Sequence, residues 1–175
     1  MRVTFKKVSS RSYAVYVERD NAPALWIDSA PGFDVYLPHD LLHFVAEAEW
    51  GLDGAVFGDL AAGGNARIFV PVDKELVPKM WREQRKKKRK LPDGRRSEQL
   101  ASVLEHAWAI RRRNARLPEH RRDRLAELRL DERQLERVLT SLDELAERWH
   151  SLAVGEAITL DWPRPEHRRH GRRRG

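Results

Sequence analysis

The chain has 175 residues, no cysteine and a formal net charge of +7. The length suits one domain with an appendage, and the missing cysteines exclude disulfide frameworks, thiolate metal sites and cysteine catalysis. Hydrophobic residues make up 41% of the chain and charged residues 35%, so a modest core must sit beside long solvated faces.

Charge is distributed unevenly. Residues 1–75 carry 7 Lys/Arg against 11 Asp/Glu, and residues 76–175 carry the remaining 27 against 16. The acidic and basic parts are expected to do different work. The opening run MRVTFKKVSS has no apolar signal core. No apolar run approaches the ~20 residues that span a bilayer, so a soluble cytoplasmic protein with no membrane partner is expected.

Residues 2–8 and 12–18 alternate in character around the turn SSR, and residues 24–28 follow the turn RDNAP. These read as three strands of an antiparallel meander. A helix is predicted over 38–50, with Pro38 at its start, where a missing N–H costs nothing, and Gly51 as its stop. Residues 53–64 suggest one or two helical turns broken by glycine, and 66–72 a short strand or extended loop. The glycines match neither a dinucleotide-binding nor a Walker pattern.

From Asp73 onward the pattern is helical. Leu76, Val77, Met80 and Trp81 share a face, and Leu100, Val103, Leu104, Ala107 and Trp108 recur at helical spacing over 97–113. A shorter helix is predicted at 118–128. The clearest helix covers 131–152, with Asp131 as cap, Gln134 completing a capping-box-like pair, and a stripe of Leu135, Val138, Leu142, Leu145, Trp149 and Leu152. That stripe can pack inside the chain or form a homodimer. Ile158, Leu160 and Trp162 mark a last strand that can return to the N-terminal sheet. The expectation is an α+β fold in which a small antiparallel sheet, the N-terminal meander plus a C-terminal strand, packs on three to five helices. Residues 1–163 form one domain, basic and helical from about 74, and 164–175 form a disordered basic tail.

The 38–50 helix carries the candidate chemistry. At about 100° per residue, His39, Asp40, His43 and Glu47 fall within about one quarter of its wheel, and apolar residues fill most of the remainder. Histidines four apart project together and can chelate one divalent ion, with Glu47 a turn further on and Asp40 as ligand or orienting group. Zinc heads the candidates. Nitrogen and oxygen ligands also suit iron, manganese or nickel. The same groups could move protons without a metal, or form ordinary surface pairs along a helix. The alternative function lies in the basic part. Arg85, Lys86, Lys87, Lys88, Arg89 and Lys90 could contact nucleic-acid phosphates or an acidic protein, although no base-reading motif accompanies them.

The run HDLLH, residues 39–43, resembles the H-D-x-x-H core of a zinc-binding ubiquinone-biosynthesis family, whose glutamate follows twelve residues after the second histidine. The resemblance implies a metal role for His39, Asp40 and His43. At the glutamate position this chain departs from the pattern, with Ala55. The segments LPHDLLHFVAE, GAVFGDLAAGG and WHSLAVGEAITLDWP are also similar to uncharacterised proteins of GC-rich bacteria, which implies a shared fold and supplies no activity.

Overall fold

The computed structural model describes residues 1–20, 22–28, 30, 37–86, 91–112, 128 and 130–163. Strands β1 (Arg2–Lys7), β2 (Tyr13–Arg19) and β3 (Ala22–Ile27) form the N-terminal meander. The two-residue strand β4 (Val70–Pro71) pairs with β3, and β5 (Ala157–Asp161) pairs with β1. The sheet order is β4-β3-β2-β1-β5, with every pair antiparallel. The helices are α1 (His39–Trp50), α2 (Val56–Ala61), α3 (Val77–Lys86, entered through a 3₁₀ turn at Lys74–Leu76), α4 (Gly94–Arg112) and α5 (Glu132–Ser151). This is the expected α+β class. Among the described residues, no helix is long and apolar enough to cross a membrane.

Register explains which sheet face is buried. Phe5 stands between Val15 and Ile158, Val3 opposite Val17, and Val17 opposite Leu25. These residues share one face, and all are buried. On the other face, Thr4 and Thr159 are joined at 2.9 Å, and Tyr16 stacks on Trp26. An antiparallel sheet with one wet face produces this alternation.

Helix α1 lies on the buried face of the sheet. Its Phe44 meets Phe5, Phe57 and Trp162 edge-on, with ring centroids 5.2–6.1 Å apart. Pro38 stands at the N-cap, just outside the helix, and Gly51 ends it at φ 64°, returning its N–H to the Glu47 carbonyl. A left-handed residue there turns the chain sharply, which brings α2 back across the end of α1. Helix α1 also packs against α4 and α5.

The α5 stripe is buried inside the chain at Val138, Leu139, Leu142, Leu145, Ala146 and Trp149. Of the two uses open to this stripe, internal packing or a homodimer, the fold makes the first. Asp131 caps α5 by accepting from the Gln134 N–H at 2.9 Å. The Gln134 side chain does not close a capping box. It reaches the Glu49 carbonyl at 3.3 Å, because α1 passes beside the start of α5. Helix α4 begins at Gly94, earlier than the spacing predicts, and its first turn is closed by the Ser97 N–H donating to the Asp93 carbonyl. At the other end of α4, Trp108 and Arg111 both donate to Asp143 at 2.8 Å, so part of the basic surface is spent on holding α4 to α5. Trp81 is half exposed, so the apolar face expected on α3 is only partly covered.

Gly58 marks the tightest approach between α1's exit and α2. A Cβ there would sit 2.4 Å from the Leu52 carbonyl oxygen and 2.5 Å from the Asp53 Cα, both backbone atoms with no freedom to swing away. Gly58→Ala is expected to cost about 3 kcal/mol, the upper end for overpacking. Urea unfolding checks this, and an unchanged midpoint would refute it.

Candidate metal centre

His39 and His43 project from successive turns of α1, as their spacing requires. Their Nε2 atoms lie 3.1 Å apart. The Glu98 carboxylate, from the first turns of α4, comes within 3.7 Å of the His43 Nε2. One ligand atom from each of His39, His43 and Glu98 can be chosen so that all lie within 4.8 Å of one another. Two metal–nitrogen bonds of about 2.0–2.1 Å at a tetrahedral angle place the nitrogens about 3.3 Å apart, so the histidine pair is already near the edge length of a coordination tetrahedron. The His43 side chain is 7% exposed and Glu98 72% exposed. The group is thus rooted in the core and open to solvent on its Glu98 side.

Glu47 and Asp40 are turned elsewhere. The Glu47 side chain is fully buried and reaches the first turn of α2. Its Oε2 accepts from the Phe57 N–H at 2.6 Å and the Gly58 N–H at 3.4 Å. Its Oε1 accepts from the Val56 N–H at 3.1 Å and from the Ser97 hydroxyl at 2.8 Å. Burial pushes its pKa up to about 7, against these hydrogen bonds, which favour the ionised form. Glu47 therefore touches His43 only through Ser97, whose Oγ lies 2.8 Å from the His43 Nδ1.

Asp40 accepts from the Tyr13 hydroxyl at 2.9 Å, and its own N–H points to the same oxygen at 3.3 Å. Burial raises the Asp40 pKa, while the Tyr13 bond and His39 pull it down. Burial also raises the Tyr13 phenol, which keeps its O–H as the donor. The pair ties β2 to the first turn of α1, beside the histidines. Burial lowers the His43 pKa, with Glu98 opposing and His39 reinforcing the shift. A neutral imidazole is the form that binds metals.

Of the four residues on the polar quarter of α1, the structure gathers His39 and His43 and directs Asp40 and Glu47 to other partners. Ala55, at the position where the resembled family has its glutamate, is buried at the N-cap of α2. Sequence reasoning missed Glu98 and Ser97. Ser97 carried a signal, since it extends the Leu100–Leu104 stripe one turn back and is a polar residue where an apolar one is expected. Glu98 lies on the exposed flank and carried none. In the basic run, Arg85 and Lys86 end α3, and Lys87, Lys88, Arg89 and Lys90 lie outside the described residues. Nearly all of the 118–128 helix and the whole 164–175 tail lie outside them as well. No family model, curated protein or solved structure matches the chain.

Proposed function

We propose that the protein binds one divalent metal ion, zinc foremost, through the Nε2 atoms of His39 and His43 and a carboxylate oxygen of Glu98. The observation that carries this reading is the convergence of these three side chains within 4.8 Å at the mouth of a buried polar chain. Two nitrogens and one oxygen make a three-ligand set, which leaves a coordination position for water, as in catalytic rather than structural zinc sites. A metal so held lowers the pKa of bound water and polarises a carbonyl or phosphoryl oxygen, so metal-assisted hydrolysis is the reaction class that the arrangement supports best. The open Glu98 side gives a substrate its approach. The resemblance of His39–His43 to the zinc-binding H-D-x-x-H core supports the same reading for the two histidines, with Asp40 supporting the helix turn rather than the ion.

Isothermal titration of zinc into tag-free, chelator-stripped protein tests the proposal. One ion per chain is expected, with weaker binding in Glu98→Ala and in His39→Ala. Absence of binding, or equal affinity in wild type and both variants, would remove it.

A further inference from the structure

We infer that Ser97 and Glu47 are positioning residues that fix His43 in one tautomer, with its hydrogen on Nδ1 and its lone pair on Nε2, ready for a metal. The inference rests on the metal reading for its purpose and on hydrogen-bond geometry for its content.

The assignment follows from counting hydrogens. In its ionised form, which prevails above about pH 7, Glu47 is an acceptor only, and the N–H groups of Val56, Phe57 and Gly58 point at its two oxygens. It therefore accepts the single hydroxyl hydrogen of Ser97, over 2.8 Å. The Ser97 oxygen is left with only lone pairs toward the His43 Nδ1, also at 2.8 Å, so Nδ1 must be the donor. A neutral imidazole has one such hydrogen, so Nε2 is bare. That bare nitrogen faces the His39 Nε2 and the Glu98 carboxylate. Glu47, Ser97 and His43 are 0%, 1% and 5% exposed, so bulk water does not compete for these bonds. Glu47 sits in the last turn of α1 and Ser97 in the first turns of α4, so the same chain of bonds clasps the two helices that supply the three ligands. Supporting bonds of this kind set the orientation and basicity of a metal-binding histidine.

Two readouts on the full chain test the inference. Long-range ¹⁵N–¹H spectra of the metal-free wild type at pH 8 should show His43 protonated at Nδ1, and Ser97→Ala should move it toward the Nε2–H form that free imidazole prefers. Zinc affinity should fall about 10–100-fold in Ser97→Ala and return toward the wild-type value in Ser97→Thr, which restores the hydroxyl. A wild-type His43 protonated at Nε2 would overturn the inference. So would a Ser97→Ala variant that keeps the tautomer, or one that binds zinc as the wild type does. If the wild type binds no zinc yet shows the Nδ1–H tautomer, the metal reading falls and the positioning of His43 stands.

Discussion

Replacing His43 with alanine is expected to weaken zinc binding by more than about 100-fold, beyond the roughly 10–100-fold that loss of a supporting residue costs. His43 is the member of the set that both others approach, at 3.1 Å from the His39 Nε2 and 3.7 Å from Glu98. It is also the one whose orientation is fixed from behind, through Ser97. Without it, an ion would have to be held by one histidine and a carboxylate that is 72% exposed and must give up its rotamer freedom on binding. Competition against a chromophoric chelator measures the loss, and far-UV circular dichroism confirms that the variant is folded. An affinity equal to that of the wild type would contradict the assignment.

Glu47→Ala should destabilise the fold by about 3–5 kcal/mol near pH 4.5. The substitution leaves the Val56, Phe57 and Gly58 N–H groups without their acceptor and the Ser97 hydroxyl without its partner, where a buried unsatisfied donor costs roughly 1–3 kcal/mol. The effect depends on pH. Burial raises the Glu47 pKa from 4.5 to about 7, so between these values the folded chain holds a proton that the unfolded chain has released. This contribution is fully present below about pH 4.5 and declines as pH rises through 7, by about 3 kcal/mol in all. The gap between wild type and Glu47→Ala should therefore be widest near pH 4.5 and narrow above pH 7. Urea unfolding at the two pH values checks it. A gap that stays constant, or widens with pH, would contradict the description of this carboxyl.

The strands and the long helices were legible because each depends on local periodicity. Val3, Phe5, Val15 and Val17 alternate in the sequence as they do across the sheet, and the α5 stripe repeats at helical spacing. The polar quarter of α1 was legible for the same reason. What each polar side chain meets was not, because those partners are set by tertiary packing. Glu47 lies on the same side of the wheel as His43, yet the left-handed turn at Gly51 brings the N–H groups of residues 56–58 over it, and they capture both its oxygens. Glu98 reaches the histidines only because α4 packs on α1, with neighbouring Ser97 bonded to His43 across 54 residues of sequence. The role of Asp40 was likewise set by Tyr13, a residue of β2. Periodicity located the helix face that carries the chemistry. Choosing which groups on that face point together required the packing of α2 and α4.

The most direct measurement is anomalous diffraction at the zinc edge from crystals of the full chain soaked in zinc. One strong peak is expected about 2.0–2.2 Å from the Nε2 atoms of His39 and His43 and from a carboxylate oxygen of Glu98. No peak between these side chains, or a peak held by other residues, would contradict it.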